Sequence, residues 1–155
     1  MRLFSLLVFC LISCSVYGMG EMHKEVLQSD GGKLPYQWTR TGATNTPALV
    51  LFLHGAGERG NDNLLQARHG VPSLVKWLKK ENQDCVVIAP QCPSESWWGH
   101  SDGDFRNPEI LTMKPNPSAP MKMVFELVDQ LVKEQKVDKN RIYITGLSMG
   151  GYGTF

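Results

Sequence analysis

The sequence carries almost no excess charge: 16 Lys and Arg against 15 Asp and Glu in 155 residues give a formal net charge of +1. No Lys/Arg cluster falls on one stretch, so there is no electrostatic case for nucleic acid or an acidic polymer as partner. Cysteine is scarce. Four residues, at positions 10, 14, 85 and 92, are too few and too scattered for a disulfide framework, and no C-x-x-C pair suggests zinc. No other group has metal-ligand spacing, so neither a metal nor a cofactor is expected. Internal repeats and low-complexity segments are missing as well. What is present, 42% apolar and 20% charged residues, is the composition of a globular chain long enough for one domain with a sizeable core.

The N-terminus has the character of a targeting segment. Arg2 supplies a minimal positive start, and the apolar run from Leu3 to Ser13 is too short to span a bilayer as a stable helix. Leu11-Ile12-Ser13-Cys14 resembles the bacterial lipobox, in which Cys14 becomes the lipidated first residue. The competing reading is signal-peptidase cleavage after Gly18, because Val16-Tyr17-Gly18 ends in a small residue. The signal peptide is therefore expected within residues 1–18, its lipobox ending at Cys14 or its cleavage falling near Gly18, with 19–155 as the folded part. The protein is then exported, either held in the cell envelope as a lipoprotein or secreted or periplasmic. It meets a membrane only through the lipid anchor.

Beyond that segment, Glu21–Gln28 and Lys33–Arg40 flank Ser29-Asp30-Gly31-Gly32, the pattern of an antiparallel hairpin. Leu34, Tyr36 and Trp38 alternate with polar neighbours, as in a half-buried strand. Ala48–Leu53 is apolar without alternation, which predicts a central strand covered on both faces. Val71–Lys80 predicts a short amphipathic helix, Cys85–Pro90 a strand in which both Cys85 and the nearby Cys92 stay as buried thiols. Ser118 and Pro120 open the clearest helix, with Met121, Val124, Leu127, Val128, Leu131 and Val132 on one face. Alternating strands and helices predict an α/β class with a mostly parallel sheet introduced by the hairpin.

Two glycine-bearing turns follow strands. Gly55-Ala56-Gly57-Glu58-Arg59-Gly60 spells the dinucleotide fingerprint G-x-G-x-x-G, but Asn61-Asp62-Asn63 continues as a polar loop rather than a helix. The acidic residue due after the next strand is also missing. The second turn, Gly146-Leu147-Ser148-Met149-Gly150, follows the apolar, β-branched run Arg141–Thr145, which predicts a buried strand. A strand feeding G-x-S-x-G has the form of a nucleophile elbow, which lifts a serine hydroxyl above the sheet and aims the next amide at a developing oxyanion. Between the two lies Gln91–Pro117, a long irregular stretch containing Trp97-Trp98, either a docked wall beside a substrate or simple loop anchors.

Together His54-Gly55-Ala56-Gly57-Glu58-Arg59-Gly60, Ala89-Pro90-Gln91-Cys92-Pro93 and Ile144–Gly153 resemble the α/β-hydrolase superfamily. Within it they resemble phospholipase/carboxylesterase-like esterases and share blocks with peptidases of the prolyl-oligopeptidase type. The resemblance runs from about Leu34 to Phe155. It implies a serine hydrolase acting on carboxylic esters, small or polymer-linked, with Ser148 as nucleophile and the Met149 and Ala56 amides as oxyanion hole. It implies a structural role for His54, and Glu58 and Arg59 as supports of the oxyanion loop. The family order is serine, acid, histidine, whereas His23, His54, His69 and His100 all precede Ser148. The chain is therefore expected to be the first part of the fold, truncated after the elbow, and inactive as it stands. Other outcomes are a serine peptidase or a non-catalytic envelope lipoprotein.

Overall fold

The computed structural model describes residues 21–99, 101–102, 112–113 and 115–155. The expected signal peptide with Cys14, the histidine at position 100 and most of 103–114 lie outside the described residues.

Strands β1 (His23–Ser29) and β2 (Gly32–Arg40) form the antiparallel hairpin, in register from His23 opposite Trp38 to Ser29 opposite Gly32. Gly32 takes φ +120°, a conformation a side chain rarely tolerates, which is why the turn ends on glycine. Next come β3 (Ala48–Leu53), α1 (Val71–Lys80) and β4 (Cys85–Pro90), then a small ribbon of β5 (Ser101–Asp102) and β6 (Thr112–Met113). Helix α2 (Ala119–Lys133), β7 (Ile142–Gly146) and the short α3 (Met149–Tyr152) follow. Five strands share one sheet in the order β1-β2-β4-β3-β7, antiparallel through β2–β4 and parallel through β4–β3–β7.

Side-chain alternation along β3 separates two cores. Leu49, Leu51 and Leu53 join Ile88, Met121, Val124, Leu127 and Trp98 on the α2 face. Ala48, Val50 and Phe52 join Val71, Leu78, Cys85, Val87 and Ala89 on the α1 face. All six residues of β3 are buried, so its unbroken apolar run is the mark of a strand sandwiched between helical layers. The chain leaves β3 through α1 to β4 on one side and reaches β7 on the other through α2. The C-terminal end of β3 is thus the switch point where the windings diverge, the place where open α/β sheets bind ligands.

Two expectations need correction. β2 is buried on both faces along Leu34–Gln37 rather than half-buried, because the loop after β3 packs over it and Gln37 Nε2 donates to the Asn63 and Leu64 carbonyls (3.0 and 3.3 Å). The Ile142–Thr145 strand is not buried. With β3 as its one strand neighbour among the described residues, it leaves Ile142, Tyr143 and Ile144 exposed. Cys85 and Cys92 are buried free thiols.

Candidate functional site

Ser148 sits between β7 and α3 at φ +53°, ψ −114°. For a residue with a Cβ this is a strained backbone, costing on the order of 1–3 kcal/mol, and it persists only where its surroundings dictate it. The surroundings here do. The Leu147 amide donates to the Leu53 carbonyl (3.0 Å), and the Gly150 amide donates to the Leu147 carbonyl (2.8 Å). The Gly151 and Tyr152 amides both donate to the Ser148 carbonyl (2.8 and 3.3 Å). Glycine makes the approach feasible: a Cβ on Gly146 would overlap the Gly150 backbone, and one on Gly150 would overlap the Leu53 carbonyl. Met149, buried at 3% exposure, pins the start of α3 in the core, while Ser148 stays exposed above it.

The end of β3 faces this turn. A Cβ on Gly55 would lie 3.7 Å from Ser148 Cβ and 3.5 Å from the Leu147 carbonyl oxygen, so His54-Gly55-Ala56 runs directly alongside the serine. Ala56 begins a single 3-10 turn, Ala56–Glu58, as Met149 begins α3. First-turn amides have no partner within their own helix, so both are available to an anion. No helix opens at Gly60, where a polar loop follows instead and α1 starts only at Val71. The fingerprint's α-helix, which should open on its third glycine to take a pyrophosphate, is therefore not formed there.

His54 is 1% exposed with both ring nitrogens engaged. Nε2 accepts from the Cys92 amide (2.9 Å), which leaves the proton on Nδ1 to donate to the Gly55 carbonyl (2.6 Å). Burial pushes its pKa down, against the pull of the Gly55 carbonyl and the Glu58 carboxylate. A neutral ring with no lone pair free cannot take a proton from Ser148. Its role is to join the end of β3 to the segment after β4. Cys92 is equally inert: burial pushes its thiol up to about 12, although the Arg59 charge acts the other way. That keeps it from being a thiolate nucleophile.

Outside the turn, Arg59 Nε donates to the Ala56 carbonyl (3.0 Å) and Nη1 to the Ser96 carbonyl (3.3 Å), with the guanidinium 4.5 Å above the Trp97 ring. The two tryptophans part company. Trp97 lies at this partly exposed stack, whereas Trp98 is 1% exposed. Its Nε1 donates to the His54 carbonyl (3.1 Å), its ring meets His54 edge-on, and a Cβ on Gly153 would come within 2.6 Å of it. Trp98 is buried as a core post, the place a loop anchor would take. Ser118 ties the same post to α2, donating to the Trp98 carbonyl (2.8 Å) while capping the Met121 amide (3.3 Å).

Two other histidines are described. His23 lies in β1, four strands across the sheet from β7 and so about 19 Å away at ~4.8 Å per strand. His69 is exposed, 4.0 Å from Glu58. Among the described residues neither is hydrogen-bonded to Ser148.

No protein-family model matches the sequence, and no curated protein matches it either. Solved structures do match. One described as a thermostable esterase is 38% identical, with TM-score 0.71 over 86% of this chain and 36% of its own. A ferulic acid esterase is 19% identical, with TM-score 0.57 over 86% of this chain and 52% of its own. An S-formylglutathione hydrolase from Agrobacterium tumefaciens is 15% identical, with TM-score 0.57 over 92% of this chain and 54% of its own. The chain thus spans little more than a third of the first protein and about half of the other two.

Proposed function

Because this chain belongs to the α/β-hydrolase superfamily and carries the first strands and elbow of that fold, we propose that the protein is a serine hydrolase of carboxylic esters. The observation that carries the reading is the strained Ser148 at the G-x-S-x-G turn, held beside the Gly55-Ala56 turn by glycines that no other residue could replace.

In this reading Ser148 Oγ attacks the ester carbonyl carbon, and its proton passes to a general base. The carbonyl oxygen becomes an oxyanion held by the Met149 and Ala56 amides. Collapse breaks the bond to the alcohol, which leaves with that proton, and water then attacks the acyl-enzyme to release the acid and restore Ser148. In such sites one oxyanion donor contributes about 3 kcal/mol in the transition state. The reading gives this chain the nucleophile and both donors. It assigns the base to none of the described histidines, since His54 is locked, His23 is remote and His69 lies against Glu58 with no hydrogen bond to Ser148 among the described residues. The substrate is a small or polymer-linked ester, with Trp97 beside it. We place the protein outside the cytoplasm, exported by its N-terminal segment with Cys14 as the lipidated first residue of the mature chain.

The test is turnover by the protein made from its complete reading frame, comparing a short-chain aryl ester with a prolyl-peptide anilide. Ester hydrolysis that disappears in Ser148→Ala is the expected result. Preference for the anilide would make the protein a peptidase. Turnover unaffected by Ser148→Ala would overturn the reading.

A further inference from the structure

Gln91 is fully buried at the end of β4, and the chemistry above does not use it. An unpaired buried amide is costly, so its partners tell what it is for. Nε2 donates to the Glu58 carbonyl (3.2 Å) and to Asp62 Oδ1 (2.8 Å), while Oε1 accepts from the Asn63 amide (2.8 Å). All three partners belong to one loop, the one that begins at Ala56. The Gln91 amide itself donates to the Pro35 carbonyl (2.8 Å), so the residue is rooted in the β2–β4 pairing rather than in the loop.

Its neighbour completes the grip. The Cys92 amide holds His54 Nε2 before the turn, and the Cys92 carbonyl accepts from the Gly60 amide (2.9 Å) after it. Residues 54–63 have only one 3-10 turn of regular structure, so contacts from outside the segment bear on its geometry. The rigid end of β4 serves as their template.

We propose that Gln91 is the positioning residue of the oxyanion turn: by holding the Glu58 carbonyl, the Asp62 carboxylate and the Asn63 amide at once, its buried side chain sets where the Ala56 amide points. This rests on Ala56 as an oxyanion donor to Ser148 chemistry. A donor displaced by about 1 Å loses much of its effect on the transition state while leaving substrate binding nearly intact. Gln91 would then act on kcat and not on KM.

The experiment measures kcat and KM for a short-chain aryl ester in the full-length protein, normalised by phosphonate titration of active sites so that unfolded molecules do not count. Gln91→Met keeps the bulk and removes all three hydrogen bonds. It should lower kcat by about 10- to 100-fold, with KM within about threefold and slower phosphonate inactivation in step. Gln91→Glu keeps the acceptor for Asn63 but sets a buried carboxylate against the Asp62 carboxylate and the Glu58 carbonyl, so its normalised kcat should fall at least as far as that of Gln91→Met. Asp62→Ala, at an exposed position, removes one partner and keeps the test open if the Gln91 variants do not fold; a few-fold fall in kcat is expected. Normalised kcat equal to wild type, with only the melting temperature lowered, would overturn the inference. A wild-type protein that neither hydrolyses the ester nor reacts with the phosphonate would instead remove the hydrolase reading beneath it.

Discussion

Gly150 and the carbonyl of Leu53 are packed so closely that no Cβ fits between them. This contact joins the first turn of α3 to the end of β3, and so seats Ser148 beside Gly55. Gly150→Ala must push the elbow off the sheet and should cost about 3 kcal/mol or more. Gly151, one position on, is the control, because a Cβ there meets only the Gly146 carbonyl oxygen at 3.8 Å. Gly151→Ala should be neutral or gain up to about 1 kcal/mol from helix propensity. Urea titrations of the two variants check the contrast.

The strain at Ser148 predicts a trade between stability and activity. Glycine accepts φ +53° without penalty, so Ser148→Gly should be more stable than Ser148→Ala by about 1 kcal/mol or more, with both inactive. Equal denaturation midpoints for the two variants would mean that the turn stores no strain.

His54 predicts a pH dependence of stability. Its folded pKa lies below the ordinary 6.5, chiefly through burial. As pH falls below about 6.5 the unfolded chain takes up a proton that the folded one refuses, so stability falls with pH there and rises towards neutrality. Carboxylates whose pKa is already depressed, such as Asp84 under its hydrogen bonds from Arg40 and Thr44, add their own loss only below about 4. Urea midpoints at pH 7 and pH 5 should separate more for wild type than for His54→Gln, which should be less stable at both.

Cys14 predicts a position in the cell. If the lipobox is used, wild type fractionates with membranes, Cys14→Ser moves to the soluble exported fraction, and the mature N-terminus carries several acyl chains. One chain alone binds only marginally, at ~0.8 kcal/mol per buried CH₂. A mature N-terminus at Met19, read by mass spectrometry, would show simple secretion.

Much of the fold was legible from periodicity. The β3 run, α1, β4 and the amphipathic face of α2 are local signals, and the structure places them where those signals begin and end. The elbow was legible because its glycines answer a steric demand that travels with the motif. The hidden parts depend on what lies across space. The exposure of β7 depends on its position in the sheet, and the burial of Trp98, unlike its neighbour Trp97, on where the loop turns back over His54. Gln91 gave one faint signal, a polar residue directly after an apolar strand and before Cys92-Pro93. Only the returning loop shows what its amide holds.

The central claim is that Ser148 is the nucleophile, and one measurement addresses it directly. Full-length protein is treated with a fluorophosphonate, digested, and the modified peptide identified by mass spectrometry. The account predicts one adduct, on Ser148, that is lost in Ser148→Ala and lost on prior unfolding of wild type, because reactivity depends on the folded turn and its oxyanion donors. An adduct on another residue, or labelling of Ser148→Ala as strong as that of wild type, would contradict it.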